Sequence, residues 1–152
     1  MNDAKLRDDE MTVAVPDRID ASLLFIGVLR TPWREVADCP RQGDAEAGPS
    51  CRIEIAEPWP AALAGIGVGD AIDVLYWLGE ARRDLVVQHL RGRSDLRGTF
   101  AIRSPHRPNP IGLSTVRVEG VEPAALVVRG LDCRDGTPLI DIKPRLRPIT
   151  SI

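Results

Sequence analysis

Two segments of this chain carry polar side chains in patterns that could bind a ligand. The first, here called the proline loop, runs from Arg103 to Gly112 with the sequence RSPHRPNPIG. Its three prolines fix three φ angles and lower the entropy of the free loop, so the loop is largely ordered before anything binds. The side chains with polar chemistry are Arg103, His106, Arg107 and Asn109. Composition alone favours a binding loop and a plain turn with solvated arginines about equally.

The second segment, here called the aspartate turn, runs from Gly130 to Pro144 with the sequence GLDCRDGTPLIDIKP. Its Asp-Gly-Thr-Pro run is a strong turn signal. Asp132 lies where a strand is expected to end, and Asp141 lies between two isoleucines, so it should occupy the face opposite to theirs. A carboxylate at a strand end can accept hydrogen bonds from ribose hydroxyls or a ligand ammonium group. Capping of the following turn is the alternative role.

Charge and composition exclude several classes of protein. No apolar run approaches the roughly 20 residues that a membrane span requires. Asp3, Asp8, Asp9 and Glu10 lie where a signal peptide would be basic and then apolar. We therefore expect a cytoplasmic protein with no membrane contact. Three widely spaced cysteines and two histidines show no zinc spacing, so we expect no metal. The segment from Arg91 to Arg107 contains five arginines and a single acidic residue, Asp95. These arginines either contact phosphates or are simply solvated.

Short strands must position these segments. Apolar runs and Gly/Pro punctuation predict a helical turn near Pro58–Leu63, and eight strands near residues 23–29, 51–56, 70–78, 85–90, 99–102, 113–121, 126–128 and 139–142. In the strand 70–78, alternation places Ile72, Val74 and Tyr76 on one face. No amphipathic helix of ten or more residues is evident, which favours a closed or nearly closed antiparallel barrel over a parallel α/β sheet. We expect residues 1–21 to form a flexible arm and residues 22–152 a single barrel domain.

The motifs resemble those of the TsaA-like, or TrmO, family of tRNA methyltransferases. The family's Gly-x-Phe-Ala-x-Arg-Ser segment, which runs into Arg-Pro-Asn-Pro-Ile-Gly, matches residues 98–112. Its Leu-Asp-x-x-Asp-Gly-Thr-Pro-x-x-Asp-Ile-Lys-Pro matches residues 131–144, Ile-Gly-x-x-Arg-x-Pro matches residues 26–32, and Pro-Arg-Gln matches residues 40–42. The four blocks occur in the family's order and cover nearly the whole chain from residue 24.

The resemblance implies a mostly all-β fold, a small antiparallel TsaA-like (YaeB-like) barrel that binds S-adenosyl-L-methionine without a Rossmann sheet. It also implies a homodimer with its site near the subunit interface. The activity implied is methyl transfer to the exocyclic amine of threonylcarbamoyl-adenosine, beside the anticodon of tRNA. The cofactor contacts implied by the family pattern are Arg41, Gln42, Arg103, Leu113, Gly130, Leu131 and Asp132. Many bacterial relatives carry a His-Gln pair where this chain has Gly79 and Glu80, so a contact there is expected through the main chain or through Glu80.

No residue is an unambiguous general base for this chemistry. Asp132 and Asp141 are the carboxylate candidates, and His106 is the third. Arg107, Asn109, Arg91, Arg93 and Arg97 are the candidates for contacts with the acceptor. The missing His-Gln pair, together with the absence of the C-terminal extension that many bacterial members have, keeps two alternatives open. One is a different RNA or a small-molecule acceptor, and the other is a non-enzymatic binding module.

Overall fold

The chain folds almost entirely into β-strands. The computed structural model describes residues 5–146, and within them there is no α-helix. The 3₁₀ helices are Val36–Asp38, Pro60–Leu63 and Thr99–Ala101. The strands in chain order are β1 (Met11–Thr12), β2 (Gly27–Arg30), β3 (Ser50–Ile55), β4 (Ala71–Trp77), β5 (Leu85–His89), β6 (Leu96–Gly98), β7 (Ile111–Glu122), β8 (Ala125–Arg129) and β9 (Thr137–Pro144). No helix among residues 5–146 is both long and apolar enough to cross a membrane.

Six of these strands close into an antiparallel barrel in the order β2-β3-β8-β7-β4-β9. Alternate side chains of each strand point inward, as the period of two requires. The interior is filled mainly by branched aliphatic side chains, among them Leu29, Ile53, Val74, Leu126 and Leu139, all of which are fully buried. The barrel confirms the fold class predicted from the sequence, with six strands rather than eight in the closed sheet.

Antiparallel pairing gathers several loops at one end of the barrel. The carboxyl ends of β2, β4 and β8 lie beside the amino ends of β3, β7 and β9. This end, here called the site end, therefore carries the loop of residues 31–49 and the first part of the aspartate turn. The barrel belongs to a compact unit made of Leu23–Trp77 and the chain from Leu113 onward, here called the barrel unit.

The rest of the described chain forms a second compact unit, made of the residues up to Ser22 and of Leu78–Gly112. In this insertion unit, β5 pairs with β1 on one side and with β6 on the other. The strand predicted near residues 85–90 is therefore part of this small sheet and not of the barrel. Strands β1 and β6 are short and carry no alternation strong enough to have been predicted.

The strand predicted over residues 99–102 is wrong, because Thr99–Ala101 is a 3₁₀ helix. The Thr99 hydroxyl is buried and donates to the Leu85 carbonyl at 2.8 Å. The side-chain amide of Gln88 donates from Nε2 to that hydroxyl at 2.8 Å. These side-chain bonds tie Thr99 to β5, 11 and 14 residues earlier in the chain, where the chain turns out of β6. The helical turn predicted near Pro58 is observed as Pro60–Leu63.

The described part of the predicted N-terminal arm makes ordered contacts within the insertion unit. The Val13 amide donates to the Asp84 carbonyl at 2.9 Å, and the Glu10 carboxylate accepts from the His89 amide at 3.0 Å. Residues 1–4 and 147–152 lie outside the described part. The division into an arm of residues 1–21 and one domain of residues 22–152 stays a prediction.

Candidate functional site

The Pro-Arg-Gln segment is held against the aspartate turn by a glycine pair. Gly43 packs so closely on Gly130 that a Cβ at position 43 would overlap the Gly130 carbonyl oxygen and lie 2.5 Å from its carbonyl carbon. Gly130 has a positive φ of 117°, a conformation that favours glycine. Arg41 and Gln42, the two residues before Gly43, are thereby carried to the site end, where Gly43 lies against Gly130 and Leu131. Their side chains are exposed.

A buried hydroxyl pair bonds to Asp132 at this end of the barrel. The Tyr76 hydroxyl donates to Asp132 Oδ1 at 2.7 Å, and the Ser114 hydroxyl donates to the same atom at 3.0 Å. The two hydroxyl oxygens are 2.8 Å apart. Tyr76 and Ser114 are 5% and 6% exposed, whereas Asp132 is half-buried. Burial, followed by the negative charge of Asp132, holds the pKa of Tyr76 well above its usual range. Tyr76 is therefore a permanent hydrogen-bond donor at physiological pH.

The aspartate turn is tied to the chain that follows β2. Thr31 donates through its amide to Asp135 Oδ1 at 3.1 Å and through its hydroxyl to the Cys133 carbonyl at 2.8 Å. The Asp135 amide donates to the Trp33 carbonyl at 2.7 Å. Leu131 is fully buried just before Asp132. The backbone on both sides of Asp132 is therefore fixed, as the position of a ligand-binding side chain requires.

Leu113 and Asp141 occupy different places in the barrel unit. Leu113 precedes Ser114 in β7, so it lies at the site end but points outward, and its side chain is 41% exposed. Asp141 pairs with Leu75 across a bulge in β9 and therefore lies on the face of the sheet opposite to Tyr76. Its Oδ1 accepts from the Ile142 amide at 2.8 Å and its Oδ2 lies 3.2 Å from the Lys143 ammonium. The structure brings Leu113 to the site end and keeps Asp141 away from the Tyr76–Ser114–Asp132 cluster.

In the insertion unit, the His106 side chain ties the proline loop to the backbone at Arg82. Its Nδ1 accepts a hydrogen bond from the Arg82 amide at 3.0 Å. Burial, followed by the positive charge of Arg82, lowers the pKa of His106 below its usual range. The imidazole is therefore neutral at physiological pH and carries its proton on Nε2, because Nδ1 is used as an acceptor.

Arginine and glutamine side chains brace the same loop. Arg83 donates from Nε to the Pro108 carbonyl at 2.6 Å and from Nη2 to Asn109 Oδ1 at 3.2 Å. Gln88, which is buried, donates to the His106 carbonyl at 2.9 Å. Arg107 donates from Nη1 to two carbonyls of its own loop region, those of Ile102 and Ser104, at 3.1 Å and 3.2 Å. Arg107, Asn109 and His106 therefore all hold the shape of the loop.

The remaining candidates from the sequence are exposed residues of the insertion unit: Gly79, Glu80, Arg91, Arg93, Arg97 and Arg103. The carboxylate of Asp95 lies 3.9 Å from the Arg97 guanidinium. Within residues 5–146, no group of three His, Cys, Asp or Glu side chains could hold a metal ion.

Sequence reasoning missed the residues that support the site: Gly43, Tyr76, Arg82, Arg83, Gln88 and Ser114. A signal existed for Tyr76, because a phenol on an apolar strand face needs a hydrogen-bond partner. Gly43 gave none, since one glycine in a Gly-rich loop resembles any other. The bracing residues lie far from the loop in sequence and are brought to it only by the fold.

Comparison with known proteins identifies the family. The model of the tRNA-methyltransferase O N-terminal domain matches residues 28–149. This chain belongs to that family. The match confirms the resemblance drawn from the four motifs, and it includes the Pro-Arg-Gln segment, the proline loop and the aspartate turn.

Individual relatives agree with the family match. A protein of Rhizobium radiobacter, "Probable S-adenosyl-L-methionine-binding protein VirR", is 51% identical over 144 residues, which are 95% of this chain and 82% of that protein. An "S-adenosyl-L-methionine-binding protein" of Archaeoglobus fulgidus is 43% identical over 118 residues, covering 78% of this chain and 84% of that one. A crystal structure of TrmO from Pseudomonas aeruginosa superposes with a TM-score of 0.69 at 34% identity. That match covers 84% of this chain but only 57% of the solved chain.

Proposed function

We propose that this chain is an S-adenosyl-L-methionine-dependent methyltransferase that binds its cofactor at the site end of the barrel. Its acceptor in this proposal is the exocyclic amine of threonylcarbamoyl-adenosine in tRNA. The observation that carries the proposal is the packing of Gly43 on Gly130, in a chain of the tRNA-methyltransferase O family. This packing supports the proposal because it holds the residue after the Pro-Arg-Gln segment against Gly130 and Leu131, two residues that the family resemblance assigns to the cofactor.

The residues at the site end fit the chemistry of this cofactor. S-adenosyl-L-methionine carries an ammonium group and ribose hydroxyls, and a carboxylate such as Asp132 accepts hydrogen bonds from either. It also carries a carboxylate, which an exposed guanidinium such as that of Arg41 can bind through paired hydrogen bonds.

Alignment is the main contribution expected from the protein. The bound cofactor supplies a methyl group that is already activated on a sulfonium sulfur, so the site has to hold the methyl and the acceptor nitrogen in line. Asp141 engages both of its oxygens, and His106 engages Nδ1, the nitrogen that would take a proton. We therefore infer that neither Asp141 nor His106 takes the proton of the acceptor amine. His106, Arg107 and Asn109 serve to keep the proline loop in shape.

An RNA acceptor is supported by the local charge of residues 91–107. Arg91, Arg93 and Arg97 are exposed, and Asp95 is the single acid between residues 91 and 107. Arginines in such a cluster bind phosphates, and this binding weakens as salt rises because condensed counterions are released. A tRNA substrate implies that the protein works in the cytoplasm. The family resemblance also implies a homodimer, which light scattering would test directly.

Two experiments test the proposal at its two levels. Titration calorimetry and thermal melting with S-adenosyl-L-methionine test the cofactor: a ligand present at 100 times its Kd should stabilise the native protein by about 2.7 kcal/mol. An unchanged Tm at millimolar cofactor would rule out the binding site. Mass spectrometry of tRNA nucleosides tests the acceptor, in a strain that lacks the gene and in the same strain with the gene restored. Equal levels of methylated threonylcarbamoyl-adenosine in the two strains would eliminate this acceptor.

A different acceptor is the second candidate function. It is favoured by one observation, that the relatives from Rhizobium radiobacter and Archaeoglobus fulgidus are named for cofactor binding alone. Cofactor binding together with unchanged tRNA nucleosides would support this candidate. Incubation with methyl-labelled cofactor and fractionated cell extract would then show whether the label enters another RNA or a small molecule, or whether no transfer occurs.

A further inference from the structure

The hydroxyls of Tyr76 and Ser114 are the polar groups on two otherwise apolar inward faces. Along β4 the inward residues are Ile72, Val74 and Tyr76, and along β7 Ser114 is followed by Val116 and Val118, all of them buried. Burying a hydroxyl is costly unless it forms hydrogen bonds. Both hydroxyls meet this requirement by donating to the carboxylate of Asp132, which lies on neither strand. The two polar groups on these inward faces at the site end therefore share the Asp132 carboxylate as their hydrogen-bond acceptor.

The two oxygens of Asp132 are in different situations. Oδ1 receives both hydroxyls, at 2.7 Å and 3.0 Å. Among residues 5–146, no donor is bonded to Oδ2, and Asp132 is only half-buried, so a ligand can reach this oxygen. The donors on Oδ1 come from two different strands, which fixes the rotation of the carboxylate as well as its position. An acceptor that is fixed in this way binds a ligand without the loss of side-chain freedom that a mobile one would incur.

We propose that Tyr76 and Ser114 are positioning residues, which hold Asp132 through Oδ1 so that Oδ2 is presented as a pre-oriented acceptor for a hydrogen-bond donor of the bound cofactor. That donor is a hydroxyl of the ribose or the ammonium of the methionine part. This inference rests on the proposed function, because it assigns the cofactor to the site end. It deepens that function by explaining why a tyrosine and a serine occupy the interior of the barrel at this point.

A double-mutant cycle tests whether Tyr76 acts through Asp132. We expect Tyr76→Phe to weaken S-adenosyl-L-methionine binding about tenfold, a value that corresponds to about 1.4 kcal/mol. Asp132→Ala should weaken binding at least as much. In the Asp132→Ala background, Tyr76→Phe should change the Kd by less than about twofold, because a positioning residue has no effect once the group it positions is gone. Ser114→Ala provides a second, smaller variant for the same cycle.

A matched control separates positioning from stability. Ile72 lies on the same inward face of β4 as Tyr76 but near the opposite end of that strand, and it is 3% exposed. Ile72→Val therefore removes buried packing that does not touch Asp132. We expect it to lower the Tm by an amount similar to Tyr76→Phe and to leave the Kd for the cofactor unchanged. Equal loss of affinity in both variants would show a merely structural effect and would overturn the inference.

The choice of ligand distinguishes the two possible donors. Methylthioadenosine contains the ribose but lacks the ammonium. If Oδ2 accepts from the ribose, Asp132→Asn should weaken methylthioadenosine and S-adenosyl-L-methionine by similar factors. If it accepts from the ammonium, only S-adenosyl-L-methionine should be weakened. The inference is refuted if the wild type binds the cofactor but Tyr76→Phe and Ser114→Ala bind it equally well. A wild type that binds neither ligand would instead refute the proposed function.

Discussion

Replacing Gly43 by alanine should detach the Pro-Arg-Gln segment from the aspartate turn. The new Cβ would lie 2.5 Å from the Gly130 carbonyl carbon, whereas packed carbon atoms lie about 3.5 Å apart. The loop must therefore move away from Gly130 by about 1 Å. Displacements of this size in a site that positions reactants cost about a hundredfold in rate. We expect the Kd for S-adenosyl-L-methionine to rise between tenfold and a hundredfold, as measured by titration calorimetry.

Two other glycines provide controls for Gly43→Ala. Gly27 lies at the opposite end of the barrel, and a Cβ there would overlap the carbonyl oxygen of Glu54. Gly27→Ala should cost about 1–3 kcal/mol through overpacking, or several degrees in Tm, with no change in cofactor affinity. A Cβ at Gly120 would lie 3.4 Å from the Cβ of Val127, an ordinary contact, so Gly120→Ala should change neither quantity. A folded Gly43→Ala variant with wild-type affinity would refute the placement of the cofactor at the site end.

Three further predictions concern the proline loop and the cysteines. The pKa of His106 is lower in the folded protein than in the unfolded chain, so the unfolded chain binds a proton at this imidazole first as the pH falls. His106 therefore lowers the free energy of unfolding below about pH 6.5, by at most about 1.4 kcal/mol per pH unit. His106→Asn keeps an acceptor for the backbone amide and should make the urea midpoint of unfolding fall less between pH 7 and pH 5 than it does in the wild type. An equal fall in the two proteins would contradict this. Arg83→Ala should speed hydrogen exchange in the proline loop and change global stability by less than about 0.5 kcal/mol. Burial raises the pKa of Cys133 to about 12 and that of Cys51 to about 11, so iodoacetamide at pH 8 should label Cys39 first; rapid native labelling of Cys133 would disprove its burial.

Local patterns predicted those strands whose side chains alternate or whose apolar runs are long. The period of two in Cys51–Ile55 and in Ala71–Trp77 is visible in the sequence because each strand has one face in the core. The run Thr99–Ile102 was predicted as a strand because its composition is typical of one. Its turn depends on a hydroxyl bond to Leu85, 14 residues away, which no local pattern contains. The two-residue strand at Met11 exists only because β5 is there to pair with it.

Those residues of the candidate site that belong to recognisable motifs could be predicted from the sequence. The carboxylate of Asp132 and the glycine before Leu131 are both readable, and their placement at one end of the barrel agrees with the family pattern. Asp141 has the same chemistry and is also part of a motif. The bulge beside it in β9 turns it to the outer face of the sheet, and a bulge is a property of strand pairing rather than of one strand.

The sequence by itself determined that this chain is a strand-rich member of one family and which short segments carry polar chemistry, because strand alternation, turn residues and motifs are local properties. Only the tertiary structure decided which of those groups work together. Gly43 meets Gly130, and Tyr76 and Ser114 meet Asp132, through pairings between strands that are far apart in the chain. Such contacts depend on the register and closure of the barrel, which arise from the packing of all six strands at once.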